Sequence, residues 1–249
     1  MLCVACDHIA DDAQLIYVKP EAAQRVVLLE DFTGQRCVNC PLGTDIIEQL
    51  QAQYGDSVFV AVGIHSGPLG FKGTAKAVGL ATELGDEYYQ HWNLEYQPVG
   101  LVNRRGAVNY TDWTRTVAEE LAKPAPLALN MGAELADGQI NISVELMGTD
   151  GDTQGRLQVW VLEDALVAMQ LMPDGTANAD YVHNHVLRTA VNGAWGQDVS
   201  VREGLSQTVN LTQRVDAAWQ PQHLSVVAFV YNDQGVQQAV KVKVHEVEQ

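Results

Sequence analysis

The chain has 249 residues, 47% of them hydrophobic, and a formal net charge of −16 at pH 7. That length admits one large domain or two of ordinary size, and no apolar run approaches the roughly 18 residues of a membrane span. The charge argues against a nucleic-acid or anionic-lipid surface, both of which need clustered Lys and Arg, so no nucleic-acid partner is expected; the oligomeric state stays open.

Residues 1–24 read as a signal remnant and a polar tether. Met1-Leu2-Cys3-Val4-Ala5 is an apolar stub ending in a small residue before Cys6. Bacterial lipoprotein signals end this way. The charged and long apolar parts of such a signal are missing, and Cys3 stands where Leu is usual. The other reading is an ordinary N-terminus with two incidental cysteines.

Residues 26–29 are apolar and β-prone, and a short polar turn containing Gly34 follows. Next comes Cys37-Val38-Asn39-Cys40-Pro41, and then residues 42–54 with Leu42, Ile46, Ile47 and Leu50 at helical spacing. Strand, turn, dithiol and helix in this order suit a redox pair. The first cysteine is expected at a helix N-terminus, where free N–H groups and the helix dipole favour a thiolate. The second is one turn on, close enough to form a disulfide. A structural disulfide and an inert buried pair are the alternatives. A four-thiolate zinc site with Cys3 and Cys6 exceeds the usual ~15–20 residue separation, and no metal or cofactor is expected.

Residues 58–64 form a continuous apolar run, the mark of a strand buried on both faces. A loop follows at 65–70, and one or two helices are expected over 74–92. Tyr96-Gln97-Pro98 then leads into a strand that reaches Asn103, a turn occupies 104–106, and a helix is predicted over 113–122. Pro124 and Pro126 mark a boundary. After them, strands are expected at 127–131, 140–147, 157–162, 199–201, 209–211, 224–231 and 236–244, several joined by Gly-containing turns. The expected organisation is therefore an α/β domain over 25–123 and an all-β domain over 124–249, the latter an immunoglobulin-like sandwich.

The segment from Val26 to Pro41 resembles a thioredoxin active site, whose Val-Asp-Phe, four intervening residues and Cys-x-x-Cys align with it without a gap. The resemblance implies a thioredoxin-like domain with a helical insertion before Pro98. It puts Cys37 at the attacking thiol, Cys40 at the resolving thiol and Asp31 at a buried carboxylate that exchanges a proton with Cys40. Glu30 is the rival of Asp31, and strand alternation sends the two to opposite faces. Pro98 takes the place of a cis proline facing the dithiol, and Gln97 would offer backbone groups to an extended substrate. Arg36 stands where thioredoxins usually carry Trp. Its charge would lower the Cys37 pKa, unless it simply faces solvent. His65, ending the buried strand near the active-site edge, is a substrate-binding candidate. His183-Asn184-His185 puts two histidines on one face if it lies on a strand; a metal pair and a structural pair are both open, with no third ligand evident.

Over residues 25–240 the chain resembles a 28-kilodalton outer-membrane lipoprotein family of Bacteroidetes. The motifs are Leu29-Glu30-Asp31-Phe32-Thr33-Gly34 into the dithiol, Val62-Gly63-Ile64-His65, Tyr96-Gln97-Pro98-Val99-Gly100, and Tyr181-Val182-His183-Asn184-His185-Val186-Leu187-Arg188. This resemblance implies a cell-envelope lipoprotein of the outer membrane, anchored through a lipid on Cys6. Two functions follow as expectations. One is a thiol–disulfide oxidoreductase acting on protein disulfides. The other is a non-enzymatic surface binding or adhesion protein that uses the thioredoxin-like fold as a scaffold.

Overall fold

A computed structural model describes residues 19–247. Cys3, Cys6 and the expected lipid attachment lie outside the described residues. The first half contains β1 (Val27–Thr33), α1 (Cys40–Tyr54), β2 (Phe59–His65), α2 (Glu83–His91), β3 (Val99–Val102), β4 (Ala107–Asn109) and α3 (Trp113–Leu121). The second begins with β5 (Leu127–Ala136), β6 (Gln139–Gly148), β7 (Thr153–Glu163), β8 (Leu166–Leu171), β9 (Ala177–His183) and β10 (Val186–Ala190). It ends with β11 (Gln197–Val201), β12 (Ser206–Arg214), β13 (Leu224–Asn232), β14 (Gly235–Lys243) and β15 (His245–Glu246). The result is a mixed α/β and β-rich fold. No described helix is long and apolar enough to cross a membrane.

The boundary expected at Pro124 is not a boundary of the sheet. One nine-stranded sheet runs β14-β13-β7-β10-β2-β1-β3-β4, with β11 also on β7. Strand β10 from the second half pairs parallel with β2 through Val186 and Gly63, and antiparallel with β7. That pairing encloses β2 between neighbours, which is why its apolar run is buried at every position. A second sheet, β12-β6-β5-β15, packs on β7 and β13. Strand alternation organises this contact: Leu157, Val159 and Val161 of β7 face the small sheet, whereas Trp160 and Leu162 face the other side. On that other side lie Tyr88 and Tyr89 of α2, with Trp195 edge-on to Tyr88. Helices α1 and α3 cover the remaining face of the first-half strands through Ile47, Leu50, Trp113 and Val117.

Two expectations need correction. The 74–92 segment is helical only from Glu83. A Cβ on Gly79 would lie 1.9 Å from the Gly73 nitrogen, so the chain before α2 folds back on itself instead of coiling. The Thr82 hydroxyl then caps α2 by accepting the Gly85 N–H at 3.0 Å. Strands β8, β9 and β10 were not among the expected ones, and β9 shows why: its Ala-Asn-Ala-Asp start is exposed at every position and holds only residue types depleted in strands.

Glu30 and Asp31 separate as alternation requires. Glu30 faces the α2 side, where its Oε1 accepts a hydrogen bond from Arg104 Nε at 2.6 Å, with both side chains at most 1% exposed. The guanidinium carbon sits 4.3 Å from the Tyr231 ring centre and 4.7 Å from that of Phe229. Burial raises the Glu30 pKa, and the Arg104 charge and hydrogen bond oppose that rise. Removing one partner of a buried pair strands the other, so Arg104→Met is expected to cost about 3–5 kcal/mol in urea unfolding. Adding Glu30→Gln to that variant should recover part of the loss; no recovery would mean that the stranded charge is not its cause.

Candidate functional site

Cys37 and Cys40 form a disulfide. They are held where β1 ends and α1 begins. Gly34 lets the turn press against the next loop: a Cβ there would lie 2.4 Å from the Leu69 carbonyl oxygen, which accepts the Arg36 N–H at 3.0 Å. The helix starts at Cys40, so Cys37 lies three residues before it and not at its first turn. Pro41 accounts for the shift, since a proline fits the first helical turn, where its missing N–H costs nothing.

The disulfide is not on the surface: Cys37 is 1% exposed and Cys40 2%. The β8–β9 hairpin covers it, fastened by two buried glutamines. Gln170 Nε2 donates to the carbonyls of Cys37 (2.8 Å) and Gly34 (3.3 Å). The Gln35 carbonyl accepts the Leu171 N–H at 2.9 Å. The Gln35 side chain donates to the Met169 carbonyl at 3.0 Å and the Val78 carbonyl at 3.1 Å, and accepts the Leu80 N–H at 2.8 Å. Neither glutamine stood out in the sequence. A polar side chain among buried residues is a usable signal only once its neighbours are known.

The Gln97–Pro98 peptide is cis. Phe32 pairs with Val99, which sets Pro98 level with the end of β1. The Gln97 side chain donates to the carbonyls of Thr33 (2.7 Å) and Ser66 (2.9 Å) and accepts the Leu69 N–H at 3.3 Å. It thus ties the ends of β1 and β2 together. Arg36 is exposed and lies 4.9 Å from the Phe71 ring centre.

Beneath the disulfide, between the sheet and α1, is a cavity of about 70 Å³ whose lining includes Asp31, Cys40, Gly63, His65, Tyr181 and His183. Asp31 and Thr33 of β1 pair with Gly63 and His65 of β2, so all four share the α1 face. Gly63 lies opposite Asp31 in the β1–β2 register and lines the cavity with it. Three polar atoms buried here have no hydrogen-bond partner: Asp31 Oδ1, His65 Nδ1 and His183 Nε2. Burial without a compensating cation pushes the Asp31 pKa up to about 8, so the carboxyl is largely protonated at neutral pH. Burial holds the His65 imidazole well below its usual value, with the His183 and Arg188 charges adding to that. It holds His183 at about 4, against a hydrogen bond to the Ala168 backbone that opposes the shift. The two rings meet edge-on at 5.1 Å.

His183 and His185 do not share a strand face. His183 ends β9, and His185 follows at φ 57° in the link to β10. The His185 N–H donates to Asp164 Oδ1 at 2.6 Å, and its ring lies 3.2 Å from Gln51 Oε1. Among the described residues no three His, Cys, Asp or Glu side chains are grouped to hold a metal ion.

A family model described as outer membrane protein Omp28 matches residues 85–248. The chain belongs to the Omp28 family. Its place is therefore the cell envelope. The matched Omp28 segment includes the β8–β9 hairpin and begins after the dithiol. Among solved structures, HBP35 of Porphyromonas gingivalis superposes with a TM-score of 0.71 at 17% identity, over 92% of this chain and 80% of that one. A domain of the outer membrane lipoprotein Omp28 from Porphyromonas gingivalis is 28% identical over 50% of this chain and 92% of its own, with a TM-score of 0.38. No curated protein matches the chain. The HBP35 likeness shows a shared fold.

The cavity makes stability depend on pH in a defined direction. The folded Asp31 binds its proton up to about pH 8, against an ordinary value of 3.8, so the folded state holds the extra proton and loses stability as pH rises through that window. The two histidines act oppositely: their folded values are lowered from 6.5, so stability is lost as pH falls below that value. Above pH 6.5 only Asp31 of the three still acts. From pH 6.5 to 8 the protein is expected to lose about 2 kcal/mol of unfolding free energy, and Asp31→Asn to abolish that slope. Urea titrations at the two pH values check it.

Proposed function

We propose that the protein is a cell-envelope thiol–disulfide oxidoreductase with a shielded Cys37–Cys40 couple acting on protein disulfides. In this reading residues 25–123 are a thioredoxin-like unit, residues 124–249 an immunoglobulin-like β unit, and a lipid on Cys6 holds the chain to the membrane. The observation that carries the reading is that Cys40 and a protonated Asp31 line one cavity. A carboxyl kept neutral by burial, beside a disulfide, can protonate the Cys40 sulfur as that disulfide opens and, once ionised, take the proton back from Cys40 as it resolves. The spacing agrees. A four-residue loop gains only about 2 kcal/mol from chain-entropy loss, near the bottom of what disulfides contribute, so stapling is a weak reason for this pair.

The reaction runs by exchange. The Cys37 thiolate attacks one substrate sulfur, the substrate disulfide breaks, and the other substrate sulfur leaves as a thiolate. Cys40 then loses its proton and attacks Cys37, releasing the second substrate thiolate and restoring the Cys37–Cys40 disulfide. The β8–β9 hairpin has to lift before a protein sulfur reaches Cys37, so Gln35 and Gln170 set access. Cis Pro98, level with the end of β1, offers the adjoining edge for an extended substrate.

The burial of both cysteines favours a second reading, a non-enzymatic binding protein whose disulfide stays shut and whose β unit carries the partner. Reduction of a model protein disulfide separates the two. The reduced wild type is expected to reduce it, Cys37→Ser to lose the activity, and Gln170→Ala to act several-fold faster by loosening the hairpin. Equal rates for the wild type and Cys37→Ser would leave the binding reading.

A further inference from the structure

The cavity under Cys40 extends well beyond what a single proton acceptor needs. Its inner end holds Asp31 and His65, and its walls reach outward past Tyr181 and His183 to Thr44, Glu48, Val182 and Asn184, of which Glu48, Val182 and Asn184 are exposed. The three unpartnered buried atoms belong to Asp31, His65 and His183, residues from three separate strands that line this one cavity. One orphan is commonplace; three around one polar cavity are not, because each costs free energy unless water or a proton serves it. A cavity of about 70 Å³ is large enough for ordered water between them. His183 Nε2 has no partner, while the Ala168 backbone hydrogen-bonds to the ring. The groups facing the pair are all identified: Asp31 from β1, Cys40 and Glu48 from α1, Tyr181 from β9, Arg188 from β10, and His185 from the link between β9 and β10. None of these is a cation within salt-bridge range of Asp31, so the route is for a proton and not for an anion.

We propose that the proton leaving Cys40 as it resolves the mixed disulfide passes through this cavity to solvent, by way of Asp31, ordered water and the His65–His183 pair. His183 is then a positioning residue for the resolving step. This rests on the oxidoreductase reading. In the step, the Cys40 Sγ–H bond breaks, the sulfur electron pair forms the bond to Cys37 Sγ, and the Cys37–substrate bond breaks with its electrons leaving on the substrate sulfur. Asp31, which already holds a proton, takes the Cys40 proton on one oxygen as it releases its own from the other into the cavity water; that proton travels out past His183, and solvent returns one to the released thiolate. The hairpin has two tasks in consequence: it shields the disulfide, and it supplies the outer half of the proton route.

The test uses reduced protein and oxidised glutathione, with acid-quenched mass analysis to separate the Cys37–glutathione adduct from the closed disulfide. His183→Phe keeps an aromatic ring and removes the nitrogens. It is expected to slow closure by about tenfold at pH 7, a modest share of what acid–base assistance supplies, and to move the pH midpoint of closure upward. Adduct formation in a Cys40→Ser background, with and without His183→Phe, reads any change in hairpin access separately, and the closure rates are compared after that correction. If His183→Phe does not fold, His183→Gln, which bonds hydrogen but does not relay a proton at neutral pH, should give the same slowing. Closure with an unchanged rate and pH profile in the His183 variants, but slowed by Asp31→Asn, overturns the relay and leaves the oxidoreductase reading standing. Absence of any adduct in the wild type and in Cys40→Ser overturns both.

Discussion

The insertion of β10 between β7 and β2 is the constraint on which the rest of the molecule depends. Its contact with β2 is short: Val186 pairs with Gly63, and the Gly63 N–H donates to the His185 carbonyl at 2.8 Å. It nevertheless fuses strands from both halves of the chain into one sheet. Only Asn184 and His185 separate β9 from β10, so fixing β10 also fixes the β8–β9 hairpin. The hairpin then has one place to lie, across the Cys37–Cys40 turn, with His183 against His65. Gly63 has two neighbours that matter, the strand pairing at Val186 and the cavity it lines with Asp31.

Two adjacent carboxylates meet opposite fates in this frame. Glu30 points to the α2 side, where Arg104 compensates it within an aromatic enclosure. Asp31 points to the α1 side, where no cation meets it and burial keeps its proton on. The difference comes from strand alternation and from what each face packs against. The chain keeps one buried charge as part of its scaffold and one buried proton beside its disulfide.

Local features were legible in the sequence. The β1–turn–dithiol–α1 order, the buried run of β2, a proline before β3 and most strands after Pro126 follow from periodicity and punctuation, because each is decided by residues a few positions apart. Features set by distant pairing were not. The hairpin has little alternation, since β9 is largely solvent-exposed until His183, and no local pattern says that it crosses the dithiol. The His183–His65 contact joins residues 118 positions apart through the sheet. The break expected at Pro124 was a poor guide to the sheet, which takes strands from both sides of it. The family match and the redox reading also rest on different residues: the matched segment starts at residue 85, and the dithiol lies before it.

The equilibrium reduction potential of the Cys37–Cys40 pair, measured by thiol trapping in graded glutathione buffers, tests the shielded redox couple most directly. A reversible couple between roughly −270 and −120 mV is expected, the range of working oxidoreductases. A pair that stays oxidised across all such buffers, even after equilibration long enough for the hairpin to open, would contradict it and make the disulfide structural.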